Sequence, residues 1–241
     1  MEPEEDAFGN ILYDIYTGDN SDATGIIERD DGFIEPAQMT QAYFTEYEEW
    51  SQQVQQSIEH AHGSVLDIGC GAGRHSLHFQ EEGFDVRGID ISPKAIWVAE
   101  ERGLNKTSNV GIDSVEDLPE SFDTFVLLGN NLGLLGTKPI ERLRLLAEAS
   151  SDSATLIGQT REATTTDTLH HTQYHEYNKA RGRRPGCLRL RVRYQLYQGP
   201  WHNYLFINKE PLKDIINKTP WVLDKIYQGD ESDYTVILQK D

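Results

Sequence analysis

Val65-Leu66-Asp67-Ile68-Gly69-Cys70-Gly71-Ala72-Gly73-Arg74 is the stretch that decides how this chain folds. Val65, Leu66 and Ile68 form the short apolar run of a buried parallel strand. Three glycines at alternate positions then let the backbone turn sharply and approach a ligand closely. The residues after them open a helix, whose first N–H groups are unpaired and whose dipole is positive at that end. An anionic group suits such a turn. A dinucleotide site asks for G-x-G-x-x-G. Here Arg74 stands where the third dinucleotide glycine would be, which disfavours a nicotinamide-dependent oxidoreductase.

Outward from the turn, the chain alternates strand and helix. Arg74–Glu82 is the first helix, closed by Gly83. Asp85-Val86-Arg87-Gly88-Ile89-Asp90 is the second strand, with Asp90 at its carboxyl end, the edge where doubly wound sheets bind ligands. Ser92 followed by Pro93 caps a second helix over Lys94–Arg102. Asn109–Asp113 is a weak third strand, and Phe122–Leu128 a clear fourth that ends in Gly129-Asn130-Asn131. A helix over Ile140–Ala149 and a strand over Ala154–Gln159 follow. The tail holds a helix (Glu210–Lys218) and two strands (Trp221–Tyr227, Tyr234–Gln239). These elements predict an α/β fold: a doubly wound, mostly parallel seven-stranded sheet with helices on both faces and an antiparallel C-terminal hairpin.

Asp67-x-Gly69-x-Gly71-x-Gly73 after an apolar strand resembles the first motif of the class I S-adenosylmethionine (SAM) dependent methyltransferases, and Gly88-Ile89-Asp90-Ile91-Ser92-Pro93 resembles their second. The resemblance is strong over residues 64–159 and holds in outline over 208–240. It implies SAM as cofactor and S-adenosylhomocysteine (SAH) as product. It also implies a cofactor site of Asp67, Gly69, Cys70, Gly71, Gly73, Asp90, Ile91, Asp113, Ser114 and Asn130. In that family the glycine turn passes under the methionine part. Asp67 would help hold its amino end, Asp90 the ribose hydroxyls, Ile91 the adenine face, and Asp113 with Ser114 the adenine amino group. Asn130 and Asn131 occupy the family's fourth motif, where residues face cofactor and substrate. Their bland reading is turn chemistry. The Asn/Asp-Pro-Pro-Tyr/Phe of exocyclic-amine methyltransferases is absent, which lowers the odds of a base or glutamine-amide acceptor.

Two regions lie outside the resemblance. Residues 1–63 form an acidic extension to a methyltransferase domain over 64–241. Up to residue 60 they carry fifteen Asp/Glu against one basic residue, Arg29. Glu2–Asp6 reads as a loose solvated tail, and Asp31-Gly32 as the turn of a hairpin between Ile26-Ile27 and Phe33-Ile34. A helix is expected from Thr40, with Tyr43, Tyr47, Trp50, Val54 and Ile58 on one stripe. That stripe either packs on the sheet or also closes Tyr43 or Phe44 over the cofactor.

Residues 160–207 interrupt the sheet pattern as a substrate-recognition insertion. In a helix, His171, Tyr174, His175 and Asn178 would share a face. His171, Tyr174, His175 and Asn131 are the candidates for catalysis. Two histidines four apart, with no clear carboxylate partner, are a weak metal signal, and no metal site is assigned. Lys179–Arg193 holds seven Lys/Arg and no acid, and Leu188–Tyr194 alternates as a strand with arginines on one face. Arg191 and Arg193, with Asn131, Tyr174 and His175, are candidates for the substrate. The competing reading docks the acidic N-terminal region on this basic strand.

Composition limits the classes further. A net charge of −18 with only nine lysines suits a surface that stays hydrated in concentrated salt, and a halophilic source is expected. The same charge disfavours nucleic-acid binding, which relies on cationic neutralisation of phosphates. No stretch approaches a membrane span, and two distant cysteines, Cys70 and Cys187, suit a reducing cytoplasm. The expected function is methyl transfer from SAM to a small-molecule acceptor by in-line displacement. The alternative is a SAM-binding regulatory or partner subunit without catalysis.

Overall fold

The computed structural model describes residues 1–20, 22–37 and 40–241. In chain order its elements are α1 (Ala7–Thr17), β1 (Ile26–Arg29), β2 (Ile34–Pro36), α2 (Gln52–Ile58), β3 (Ser64–Ile68), α3 (Arg74–Glu81), β4 (Asp85–Ile89), α4 (Pro93–Glu101), β5 (Thr107–Ser108) and β6 (Phe122–Leu127). Then come α5 (Pro139–Glu148), β7 (Ser150–Arg161), α6 (Leu169–Ala180), β8 (Cys187–Tyr194), β9 (Tyr197–Gln198), β10 (His202–Leu205), α7 (Lys209–Ile216), β11 (Trp221–Gln228) and β12 (Asp233–Lys240). The fold is α/β, with a mixed seven-stranded sheet made of β3–β7, β11 and β12.

The chain divides into two compact units. The first comprises residues 1–50, 63–114 and 190–202. In it β4 lies between β3 and β5, all parallel, with Leu66 opposite Arg87 and Ile68 opposite Ile89. Val65, Leu66, Ile68 and Ile89 are buried, as a strand covered on both faces requires. A smaller antiparallel sheet belongs to the same unit. There β1 pairs with β2 on one side and with residues 190–193 of β8 on the other, and β9 pairs with β8. Helix α1 joins the two layers. Its Ile11 packs with Ala23, Val192 and Tyr194, and its Leu12 with Ala72, Ala95 and Val98. One helix thus buries two apolar faces, one toward each sheet layer.

The second unit comprises residues 51–62, 115–189 and 203–241. Its strands run β11-β12-β7-β6; β6 and β7 are parallel, while β12 is antiparallel to both neighbours. This is the antiparallel C-terminal hairpin that the tail predicts. Trp221 anchors it: the fully buried indole donates to the Leu143 carbonyl at 2.7 Å and meets Phe125 edge-on.

Three local expectations are corrected. The N-terminus is not a loose tail. Asp6 is 3% exposed and caps α1, accepting from the Gly9 N–H at 3.0 Å. The stripe from Tyr43 to Ile58 is not one helix but two 3-10 turns, Thr40–Phe44 and Tyr47–Glu49, followed by α2. Glu46 and Glu49 form a capping box that begins a new turn, and the Trp50 indole takes the Thr45 carbonyl at 3.2 Å. The third strand is the short β5, two residues before its expected start, and Asp113 lies in a 3-10 stretch over Ile112–Asp117.

Candidate cofactor site

The first unit brings the two acids and the glycine turn together. Gly69, Gly71 and Gly73 have φ of 75°, 55° and 80°, the left-handed region that side chains avoid. The Gly69 and Cys70 N–H groups donate to the Ile89 carbonyl at 2.8 and 3.0 Å, so β4 braces the turn. The Gly71 N–H donates to Asp90 Oδ2 at 3.0 Å. The Ser92 N–H donates to Oδ1 of the same carboxylate at 2.9 Å. Asn109 Nδ2 holds the Asp90 carbonyl at 2.8 Å. Asp90 is thereby fixed between the turn after β3 and the start of α4. Asp67, 1% exposed, accepts from Ser76 Oγ of α3 at 2.6 Å. From the α4 side, Arg102 donates to the Ala72 carbonyl at 2.6 Å.

The two acids share an unusual environment. Burial pushes Asp67 up to about 6; the Ser76 hydroxyl opposes that rise and the Asp90 charge adds to it. Burial likewise raises Asp90 to about 6, against the Ser92 and Gly71 N–H groups and with help from Asp6. Their bonded partners are a hydroxyl and backbone N–H groups, so a ligand bearing an ammonium group and hydroxyls would supply what the pair lacks. Burial also raises the Cys70 thiol well above its usual range, which keeps it protonated.

Ile91, at the end of β4, is 51% exposed, an apolar side chain left open beside Asp90. A Cβ at Gly111 would come within 3.0 Å of it, so the residues leading into Asp113 and Ser114 lie against Ile91. Above the turn, the Tyr43 ring lies 3.5 Å from where a Gly71 Cβ would be and meets Phe8 edge-on.

The other candidates belong to the second unit or to the smaller sheet of the first. In the second unit Asn130 adopts φ 68°, with Oδ1 buried and without a hydrogen-bond partner among the described residues. Its carbonyl accepts from the Tyr204 hydroxyl at 2.6 Å, and the Tyr204 ring fills the space a Gly133 side chain would need. Asn131 starts the next 3-10 turn. Helix α6 does place His171, Tyr174, His175 and Asn178 at helical spacing, but two of the four are core. Tyr174 is 2% exposed and accepts from the Arg189 N–H at 3.3 Å. Asn178 is fully buried and donates to the Pro185 and Cys187 carbonyls. His171 and His175 are half-buried. In the first unit Arg191 is engaged by Glu28, with Nε and Nη2 each 2.9 Å from Oε2, and is stacked on Trp201. Arg193 reaches the same oxygen at 3.5 Å. No group of three or more His, Cys, Asp or Glu among the described residues is arranged to hold a metal ion.

Sequence reading missed Ser76, Asn109, Arg102 and Asp6. Ser76 and Asn109 carried a signal: a hydroxyl one turn into the helix after a buried acid, and an amide beside the next strand end, are what isolated carboxylates and carbonyls need.

Comparison with known proteins bears on the fold and on residues 65–151. Residues 65–151 match the family described as methyltransferase domain. Over 98 residues the chain is 29% identical to the putative methyltransferase YqeM of Bacillus subtilis, covering 38% of each. Over 96 residues it is 34% identical to a glycine/sarcosine N-methyltransferase of Parasynechococcus marenigrum, covering 37% of this chain and 34% of that one. The matched segments thus span little more than a third of these curated relatives. A SAM-dependent methyltransferase from Bacteroides fragilis, solved with SAH, superposes with a TM-score of 0.80 at 22% identity, over 100% of this chain and 97% of that one. Residues 65–151 thus match a methyltransferase domain, and the chain over its whole length has the fold of that solved SAM-dependent methyltransferase.

Proposed function

We propose that this protein transfers a methyl group from SAM to a small-molecule acceptor. One observation carries the reading: three left-handed glycines whose central N–H is bound to Asp90, beside a second buried acid, Asp67. The residues fit the cofactor. Asp67 takes its amino end, Asp90 its ribose hydroxyls, Ile91 its adenine face, and Asp113 with Ser114 the adenine edge. Gly69, Cys70, Gly71 and Gly73 supply a backbone that a ligand can approach. Bound SAM supplies a methyl group already activated on a sulfonium, so the acceptor needs orientation and exclusion of water more than strong catalysis. A proton acceptor is required only for a protonated amine or hydroxyl, for which His171 and His175 are the candidates, while the Asn131 amide can orient a polar acceptor without taking its proton. The buried Tyr174 is better read as packing.

Calorimetry with SAM, SAH and NAD tests the cofactor, with salt present because the chain is strongly acidic. SAM and SAH should bind and NAD should not. Methyl-labelled SAM should then pass label to a component of a metabolite mixture. Failure of SAM and SAH to bind at low and high salt would refute the reading.

A further inference from the structure

Asp6 lies far from the glycine turn in sequence, yet its carboxylate sits at the N-terminus of α4. Oδ1 accepts from Ser92 Oγ at 2.7 Å and from the Gly9 N–H at 3.0 Å, and Oδ2 accepts from the Lys94 N–H at 3.0 Å. Ser92 Oγ itself caps the Ala95 N–H at 2.9 Å, so Asp6 adds a second cap at Lys94 and, beyond capping, engages the hydroxyl of the capping serine. The effect of Asp6 is to consume the Ser92 hydroxyl proton and fix its rotamer. The backbone N–H of that same serine holds Asp90 Oδ1.

Gly9 gives independent support. Glycine inside a helix costs about 1 kcal/mol relative to alanine, and Gly9 lies within α1. A Cβ there would fall 2.2 Å from Ser92 Oγ and about as close to both Asp6 oxygens. The helix gives up propensity so that its backbone can touch Ser92. Asn10 completes the contact: its Nδ2 donates to the Asp6 carbonyl, and its Oδ1 accepts from Lys94 Nζ, both at 2.6 Å.

We propose that Asp6 is a positioning residue for the cofactor's ribose, acting through Ser92 on Asp90, and that α1 must be docked on α4 for the ribose hydroxyls to be held. The proposal rests on the SAM reading and assigns the N-terminal helix a part in it. It predicts that α1 and ribose recognition are thermodynamically coupled.

The test compares SAH with its 2′-deoxyribose counterpart by calorimetry on the full chain. Wild type should prefer SAH by about tenfold, the value of one hydrogen bond to a charged acceptor. Asp6→Asn and Gly9→Ala should lower SAH affinity by about that factor while changing the deoxy compound little, so that the preference disappears. A variant that melts lower but keeps the preference shows a purely structural contact and overturns the proposal; so does an equal loss for both ligands. A second measurement uses wild type alone: SAH should slow amide exchange across residues 7–17, and unchanged exchange overturns the coupling even if neither variant folds. If wild type binds no SAH, the SAM reading itself fails, which is a separate result.

Discussion

At the scale of residues, Asp67 and Asp90 are the informative pair. Both sit in the fold with proton affinities raised to about 6 from an ordinary 3.8. A carboxyl that is easier to protonate folded than unfolded adds most stability below its unfolded value, and that contribution is lost as pH rises through the folded value. The free protein should therefore lose stability from this pair between about pH 4 and 6. Asp90→Asn cannot ionise, so its stability relative to wild type should climb by about 1–3 kcal/mol across that window and level off above pH 7. Asparagine keeps one acceptor oxygen for two N–H groups, which sets the whole difference curve lower by about 1 kcal/mol without changing its slope. Chemical denaturation of both proteins at several pH values gives the curve; a difference independent of pH would show that Asp90 is already ionised at ordinary cost. The same variant should lose SAH affinity by at least about tenfold. Wild-type affinity should fall as pH drops below about 6, because hydroxyl and ammonium donors need the ionised acids.

At the scale of elements, what could be read from sequence followed the range of the interactions. Val65–Arg74 and Asp85–Pro93 were legible because strand, turn and helix are adjacent there and each residue choice agrees with its neighbours. Helix α1 was not, because its reasons lie far along the chain: Gly9 looks like a breaker until Ser92 is beside it. The stripe from Tyr43 to Ile58 has helical spacing, but side chains compete for the backbone at Thr45, Glu46 and Glu49 and divide it. Tyr47 and Trp50 still pack together, on His78 and His75 of α3. Strand β8 left two readings open, a substrate anion or the acidic N-terminal region. The structure sets Glu28 of β1 opposite Arg191, and one carboxylate serves two arginines. Glu28→Gln should leave both cations without that acid in a half-buried place, costing about 1–3 kcal/mol, or several degrees of melting temperature. Adding Arg193→Gln should recover part of that loss, since one unpaired charge is removed. Equal melting of Glu28→Gln and wild type would mean that the arginines are balanced by something else, and would return the substrate reading to the fore.

At the scale of the molecule, charge is the dominant feature: 40 Asp and Glu against 22 Lys and Arg. The imbalance is steepest before residue 60, where fifteen acids face Arg29 alone. The ion pairs cannot offset this, because several join exposed partners, such as Lys106 with Asp85 and Lys138 with Glu141, and such pairs contribute little. Like-charge repulsion among the remaining acids is long-ranged at low salt, where the Debye length is about 10 Å at 0.1 M, and shrinks to about 3 Å at 1 M. Unfolding spreads the charges apart, so dilute buffer favours the unfolded chain. The melting temperature should therefore rise as KCl increases from 0.05 to 1 M, most steeply at the low end. If screening is the whole cause, the curve flattens once the Debye length falls below the spacing of surface acids. If hydration of the acidic surface in concentrated salt also matters, as a halophilic source would require, the rise continues toward 3 M KCl. Scanning calorimetry across that series separates the two, and a melting temperature that is flat or falling from the outset would refute the charge argument altogether.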